Sequence, residues 1–266
     1  MDLSAYLERI GHAGPVAPTY DSLAAIMRAH VAAIPFENLD VQLGRPIAGD
    51  LPAIFAKLVG RRRGGWCYEQ NGLLGWALET IGFEVVRVAG GVMRVVSGDN
   101  VLGNHLALVV LLDRPWLVDA GFGGSLAEPI ALAPAAHRHA PYELSLARIE
   151  DDYWRYEEWI RGRPFSFDFR FAPADPALLA RQQARLQTDP DSPFVLNLVA
   201  QRRSGDSHAS LRGRVLSLSR GESYEDFLIE DAETLVDTLR TRFALDVPEI
   251  AALWPRICDR HEALFG

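Results

Sequence analysis

The chain has 266 residues, 48% hydrophobic and 23% charged, which is typical of an ordinary globular protein of about two domains. Its formal net charge of −8 argues against a nucleic-acid-binding protein, which would normally present a basic face. Two widely separated cysteines indicate no disulfide framework and fit a reducing compartment. We find neither a signal-peptide pattern nor a run approaching 18 apolar residues. We therefore expect a cytoplasmic protein without a membrane segment.

Helical periodicity runs from the start of the chain to about Gly82. A short helix ends near Gly11, and either Thr19 or Asp21 can cap a second helix. His30 lies on the apolar face of that second helix, where a histidine is usually a core residue. Further helices are predicted over residues 51–59 and 67–81.

The segment IPFENLDVQLG interrupts this periodicity, with Pro35 breaking the pattern. Glu37 and Asn38 stand between apolar neighbours in this segment, so we expect them to be buried and to need partners. Arg63 is a natural partner because it lies in the basic run that precedes the next helix.

The stretch RRRGGWCYEQNGLL places Cys67 at the start of an amphipathic helix. Unpaired N–H groups and the helix dipole favour a thiolate at such a position, and the thiolate is the nucleophilic form. The two glycines before it allow close backbone approach, and we expect the polar residues 69–71 to line a cleft. Cys258, within a terminal helix and without these features, is interpreted as a structural thiol.

From Phe83 onward the period changes to that of strands. Short runs rich in β-branched and aromatic residues extend to about residue 171, without intervening helices, which favours an antiparallel sheet or barrel. Residues 173–188 are predicted to form a helix or connecting arm. SPFVLNLVAQR has a strand-like pattern, and EDFLIEDAETLVDTLRTRFAL and PEIAALWPRICDRHEALF are predicted to form two terminal helices.

A thiolate nucleophile needs a base, and the seven histidines are the candidates. Four of them are most simply surface residues: His137, His139, His208 and His261. His105 instead opens the apolar run HLALVVLL, and Asp119 stands in the next run, WLVDAGFGG. A three-residue loop sets Asp119 opposite Ala107 and diagonal to His105 on one face, whereas a two-residue loop puts them on opposite faces. Spacing alone leaves a His–Asp pair and a capping aspartate beside a strand-edge histidine equally open.

RRGGWCYEQNG, NHLALVV, WLVDAGFGG and the upstream IPFENLD together resemble the arylamine N-acetyltransferases over most of the chain. The resemblance implies an α+β fold with a cysteine-protease-like core. It consists of an N-terminal helical bundle (1–82), a central antiparallel β-barrel (83–190) and a C-terminal α/β lid (191–266). The periodicity agrees with the first two parts and is less definite for the third.

The same resemblance implies roles for individual residues. The nucleophile, base and orienting acid would be Cys67, His105 and Asp119. The other implied residues are Phe36 and Phe122 in the acceptor pocket, Arg63, Glu37 and Asn38 as supports, and Gly121, Gly123 and Gly124 in a flexible loop admitting the coenzyme.

The implied activity is acetyl transfer from acetyl-CoA, as co-substrate and without a metal, to an arylamine or hydrazine. We expect ping-pong kinetics through an acetyl-cysteine. The resemblance also allows a homodimer.

The sequence is also compatible with other functions. Leu102-Gly103-Asn104 before the histidine and a somewhat short chain depart from the common bacterial pattern. A macrolactam-forming amide synthase of polyketide biosynthesis, with the same triad and another acyl donor, is therefore the first alternative. A hydrolytic or crosslinking cysteine enzyme shares the thiol–imidazole–carboxylate chemistry but not the RGGxCxExN signature. A non-catalytic binding module would not need all three groups.

Overall fold

The N-terminal helices predicted from periodicity are present. A computed structural model describes residues 1–266, except for the side chain of Ile160. Thr19, rather than Asp21, caps the second helix by accepting a hydrogen bond from the Ser22 N–H. The elements in this part are α1 (Leu3–Ile10), α2 (Tyr20–Ala33), the short strand β1 (Phe36–Glu37), α3 (Leu39–Gln42), α4 (Leu51–Phe55) and α5 (Cys67–Ile81).

The helix predicted over residues 51–59 is present, but its second half is not α-helical. Helix α4 ends at Phe55, and a π-helical turn, Ala56–Gly60, continues it. Such wide turns occur where a local requirement overrides regular geometry. This turn carries Lys57, whose side chain is almost fully buried against carboxylates of other segments.

The predicted antiparallel β-structure forms a sheet of eight strands within the described residues, in the order β5-β4-β3-β2-β9-β8-β7-β6. Helix α5 packs against β2 and β3, and its apolar side chains join the main core. The α+β class and the antiparallel arrangement predicted from the sequence are confirmed. The strands are β2 (Glu84–Val92), β3 (His105–Leu111), β4 (Pro115–Val118), β5 (Ile130–Ala131), β6 (Ala135–His139), β7 (Tyr142–Arg148), β8 (Tyr153–Ile160) and β9 (Arg163–Arg170), with the short helix α6 (Arg94–Ser97) after β2.

A second antiparallel sheet lies in the C-terminal part, in the order β1-β10-β11-β12-β13. Its edge strand β1 comes from the IPFENLD segment, so the N-terminal part contributes to this sheet. The elements are α7 (Pro176–Thr188), α8 (Pro193–Leu196), β10 (Val199–Ser204), β11 (Ser207–Arg212), β12 (Val215–Arg220), β13 (Ser223–Leu228), α9 (Ala232–Phe243) and α10 (Trp254–Phe265). The division at residues 82 and 190 stays a prediction.

Two C-terminal expectations are wrong at element boundaries. SPFVLNLVAQR begins with the single-turn helix α8 because the Ser192 hydroxyl caps the Phe194 N–H and proline follows the cap. The penultimate helix starts at Ala232, where Asp231 caps the Thr234 N–H at 2.7 Å. Residues 225–228 of the preceding EDFLIE run instead belong to strand β13 and continue the sheet. No helix in the described part of the chain is long and apolar enough to cross a membrane.

Candidate active site

Cys67 is the first residue of α5 and is buried at 3% exposure. The chain reaches it through two glycines that have no room for a side chain. A Cβ on Gly65 would lie 2.7 Å from a carboxylate oxygen of Glu69, and one on Gly64 would collide with the Pro35 carbonyl. Because Gly65 leaves room for it, the Glu69 carboxylate reaches back and accepts a hydrogen bond from the Trp66 N–H at 3.3 Å, which closes the first turn of α5. The close approach expected from these glycines is present.

His105 and Asp119 occupy the geometry of the three-residue loop. Leu111 pairs with Pro115 and Leu108 with Val118, a register that continues to Ala107 opposite Asp119. His105 Nε2 and Asp119 Oδ2 are 2.7 Å apart, and both side chains are at most 2% exposed. His105 and Asp119 therefore form a pair, and the alternative of a capping aspartate beside a separate strand-edge histidine is wrong.

The charge balance at His105 favours the imidazolium form. Burial by itself would lower the pKa of His105, but the Asp119 carboxylate and the neighbouring Cys67 thiol raise it to about 10. Because Nε2 is bound to Asp119, Nδ1 is the ring nitrogen left to face the thiol. The arrangement can hold a proton beside Cys67 and exchange it with a reacting group.

The polar residues after Cys67 do not line a cleft, contrary to expectation. Glu69, Gln70 and Asn71 are all buried and bind framework groups. Gln70 Oε1 accepts from His30 Nε2 at 2.7 Å, which makes His30 the bound core residue that was predicted. Asn71 Nδ2 donates to Asp119 Oδ1 at 2.7 Å, and Asn71 Oδ1 accepts the Ala120 N–H at 2.9 Å.

Arg63, Glu37 and Asn38 support the site from the side of β1. Arg63 donates to Glu37 at 2.8 Å, so the partner expected for that buried carboxylate is present. Asn38 accepts the Val199 N–H at 2.8 Å and joins β1 to β10. Lys57, missed by the sequence reasoning, lies 2.9 Å from a carboxylate oxygen of Glu69. It extends the ion-pair network to the residue that closes the α5 turn.

A cavity of about 540 Å³ opens onto the thiol. Its aromatic wall contains Phe122, whose ring lies 5.3 Å from that of His105 and stacks on Phe165 at 4.9 Å. The sequence-predicted residues that line it are Cys67, His105, Phe36, Phe122, Gly121 and Gly123. An apolar concave site with a few convergent polar groups is typical of a small-molecule pocket.

The glycine loop after Asp119 is buried and tethered, which does not fit the flexible loop expected from sequence. His208 Nε2 donates to the Gly123 carbonyl at 2.8 Å, and the Arg203 guanidinium donates to the Gly124 carbonyl at 3.0 Å. Gly124 therefore faces the supporting strands, while Gly121 and Gly123 face the cavity.

The prediction that His208 is a surface residue is wrong. It is 3% exposed, and its Nδ1 accepts from the Tyr142 hydroxyl at 2.9 Å. Burial and the nearby Arg203 charge lower the pKa of His208 to about 4, against the opposing hydrogen bond to Gly123. The surrounding sequence, RRSGDSHAS, is polar, so no local signal marks this burial. Among the described residues no group of three or more His, Cys, Asp or Glu side chains is placed to hold a metal ion.

Similarity to known proteins extends over most of the chain. A family model described as N-acetyltransferase matches residues 19–252. The arylamine N-acetyltransferase of Mycolicibacterium smegmatis is 40% identical over 263 residues, with 94% of each chain covered. A solved structure of the M. smegmatis arylamine N-acetyltransferase has a TM-score of 0.86 at 37% identity, covering 97% of this chain and 98% of that one. The Mycobacterium marinum arylamine N-acetyltransferase in complex with CoA has a TM-score of 0.87 at 34% identity, with the same coverage.

These matches show that the chain is an acyltransferase enzyme. They extend over nearly the whole chain in both sequence and structure. The chain belongs to the arylamine N-acetyltransferase family.

Proposed function

We propose that this protein transfers the acetyl group of acetyl-CoA to an arylamine or hydrazine through an acetyl-Cys67 intermediate. One observation carries the proposal: Cys67 opens onto an aromatic cavity beside a buried His105 that is bound to Asp119. A thiol, a base and an orienting acid in this arrangement constitute the machinery of nucleophilic acyl transfer. Family membership and the CoA complex of the M. marinum relative support acetyl-CoA as the donor.

In the first half-reaction the Cys67 thiolate attacks the thioester carbonyl carbon of acetyl-CoA. A carbon–sulfur bond to Cys67 forms, the bond to the coenzyme breaks, and the departing thiolate takes a proton from the His105 imidazolium. The oxyanion of the tetrahedral intermediate needs fixed N–H donors. We assign this role to the Cys67 N–H, since N–H groups of a first helical turn have no partner within the helix.

In the second half-reaction the acceptor nitrogen attacks the acetyl-Cys67 carbonyl. Neutral His105 takes the amine proton, the carbon–nitrogen bond forms, and Cys67 leaves as the thiolate. Positioned proton transfer of this kind typically contributes on the order of 10²–10⁴-fold in rate. Asp119 is suited to keep the imidazole in one orientation through both steps, because its carboxylate binds Nε2 and leaves Nδ1 for the reacting groups.

The deciding measurement is the intact mass after incubation with acetyl-CoA in the absence of an acceptor. We expect the wild type and Cys258→Ala to gain one acetyl group, about 42 Da, and Cys67→Ala to gain none. Addition of para-toluidine should discharge the label. Background acetylation is small because the only lysine of the sequence, Lys57, is buried.

Two results would overturn the proposal. An equal gain in Cys67→Ala would exclude Cys67 as the acetyl carrier. An unmodified wild type whose Cys67 is still labelled rapidly by iodoacetamide would exclude acetyl-CoA as the donor. In the second case a polyketide thioester, the donor of an amide synthase, is the next substrate to assay.

A further inference from the structure

Glu158 is a buried carboxyl in the wall of the Cys67 cavity. On β8 it pairs with Leu144 of β7 and with Phe165 of β9, and its side chain shares their face of the sheet. Alternate residues on these three strands share that face. Those nearest Glu158 are apolar or aromatic: Tyr142, Leu144, Leu146, Trp154, Tyr156, Phe165, Phe167 and Phe169. Arg148 and Arg163 stand on the same face at strand ends, where both are exposed.

One oxygen of this carboxyl has no hydrogen-bond partner in the described part of the protein. Glu158 is 7% exposed, and its Oε2 is buried without a partner. Buried polar groups in native proteins nearly always have a partner, so an unpartnered oxygen on a residue that lines a cavity calls for an explanation. The proposed acyl-transfer steps make no use of it.

Most neighbouring polar groups are engaged with other partners. The Tyr142 hydroxyl is bound to His208, and the Tyr156 hydroxyl lies 3.0 Å from the Ser125 hydroxyl. Arg203 is the nearby cation, but its guanidinium donates to backbone carbonyls that include those of Gly124, Ser125, His139 and Ala140. The described residues thus surround Glu158 without supplying a direct cationic partner.

Burial raises the pKa of Glu158 to about 8, and the charge of Asp119 adds to this effect, while Ser125 and Arg203 oppose it. At neutral pH the free protein therefore holds this group mainly as the neutral acid. A bound cation would lower that pKa and release the proton to solvent, since opposite charges in a desolvated site favour ionisation.

Phe122 connects this carboxyl to the candidate catalytic residues. Its ring contacts His105 at 5.3 Å, Tyr156 at 5.7 Å and Phe165 at 4.9 Å. An aromatic acceptor lying along this wall would have its reacting nitrogen at the His105 end. Its opposite edge would then face the Glu158 side.

We propose that Glu158 is a specificity-determining residue that binds a cationic nitrogen substituent of the acceptor, on the side of the ring opposite the reacting amine. This inference rests on the proposed function, because it assigns the class of acceptor used by the same site. The carboxyl should favour an ammonium group, tolerate a neutral substituent and disfavour a carboxylate.

The test compares three para-substituted anilines of similar size: para-aminobenzylamine (cationic), para-toluidine (neutral) and para-aminobenzoate (anionic). Each amine is measured with the wild type, Glu158→Gln and the control Glu157→Gln. The equilibrium Kd is determined on unacetylated protein. The value of kcat/KM is normalised to the concentration of acetylated protein. Glu157 is half-buried on the opposite face of the same strand, between Ser145 and Ser166, and undergoes the same chemical change.

For the wild type and Glu157→Gln we expect the cation to bind at least tenfold more tightly than the anion. In Glu158→Gln this ratio should fall toward one, mainly through weaker binding of the cation. A ratio unchanged by Glu158→Gln, or changed equally by Glu157→Gln, would overturn the assignment. Melting temperatures of all three proteins separate loss of folding from loss of recognition.

The binding series also separates the two proposals. If acetyl-CoA fails to acetylate Cys67, the proposed function fails, yet the Kd ratios still decide the role of Glu158. If acetylation proceeds and the ratios do not move, only the role of Glu158 fails.

Discussion

Asn71 Nδ2 donates a hydrogen bond to Asp119 Oδ1 at 2.7 Å, which ties the helix beginning at Cys67 to the strands carrying His105. The same amide donates to the Leu106 carbonyl at 2.6 Å and accepts the Ala120 N–H at 2.9 Å. One fully buried side chain therefore fixes the position of Cys67 relative to the His105–Asp119 pair. This dependence can be tested directly.

Asn71→Ala should lower both stability and activity. Each buried group left without a partner costs about 1–3 kcal/mol, so a clear loss is expected in urea unfolding. Activity should fall further than the folded fraction accounts for, because Asp119 loses a hydrogen bond. Asn100→Ala, an exposed asparagine, is the control and should stay within about 0.5 kcal/mol of wild type. Equal effects of the two substitutions would contradict the bridging role.

The sequence predicted the local parts of the site but not the long-range ones. The limits of α5 could be predicted because glycines mark both ends, Gly65 by close packing and Gly82 by its positive φ of 110°. The register of His105 and Asp119 depended on the length of one turn, so the sequence left two arrangements open, and the structure has the three-residue loop. His208 could not be placed, because its burial depends on the Gly123 carbonyl, 85 positions earlier in the chain.

The same limit applies to Lys57 and Glu158. Lys57 reaches Asp40 and Glu69 from a π-helical turn, which its sequence does not signal. Glu158 lies in the alternating strand YWRYEEWI beside a second glutamate, and only the sheet register decides which of the two faces the interior. Family resemblance supplied the remaining candidate residues, because local patterns identify elements better than they identify contacts.

Asp119→Asn should lower the pKa of His105 from about 10 toward or below its ordinary value, because the carboxylate charge is what offsets burial. The two donors at Oδ1, Asn71 Nδ2 and the Gly121 N–H, should hold the new amide oxygen. The new NH₂ group then faces Nε2 and forces the proton onto Nδ1, the wrong tautomer. We expect activity to fall on the order of 10²–10⁴-fold.

Imidazole NMR titration and unfolding at several pH values check this prediction. A histidine with a raised pKa contributes stability that is complete below pH 6.5 and is lost as pH rises toward about 10. Wild type should lose this contribution across that window, whereas Asp119→Asn should lack it. A His105 pKa unchanged by the substitution would show that Asp119 does not set the charge of the imidazole.

Lys57→Met should destabilise the protein most strongly above neutral pH. Its ammonium lies 2.9 Å from both Asp40 and Glu69. Removing it leaves the buried Glu69 carboxylate uncompensated, at a cost of about 3–5 kcal/mol, whereas Asp40 keeps the Arg63 guanidinium at 3.2 Å. Burial already raises the pKa of Glu69 to about 7, with Lys57 opposing the shift. The folded state therefore holds the Glu69 proton more tightly than the unfolded chain does, and the free energy of unfolding falls as pH rises from 4.5 to about 7. Lys57→Met should make this fall larger.

Urea unfolding at pH 5 and pH 8 distinguishes charge from packing in this network. The loss caused by Lys57→Met should be smaller at pH 5, where protonation relieves Glu69. Arg61→Met, a basic residue exposed one helical turn later, should be near neutral at both pH values. The same loss at both pH values would mean that the methylene stem, rather than the ammonium, stabilises the fold.

Gly121→Ala should disturb the site although the backbone at this position is not in the left-handed region. A Cβ there would lie 2.6 Å from Cys67 Cα and 2.7 Å from Asn71 Nδ2. The Cα cannot move without shifting α5, and Nδ2 cannot move without weakening its hydrogen bonds to Asp119 and the Leu106 carbonyl. Overpacking of this kind costs about 1–3 kcal/mol, and iodoacetamide should label Cys67 at a changed rate. Gly60→Ala is the matched control, since a Cβ at Gly60 has nothing within 4 Å, and it should be neutral or stabilising by up to about 1 kcal/mol. If Gly121→Ala behaves like Gly60→Ala in both measurements, the packing of this loop against Cys67 does not fix the position of the thiol.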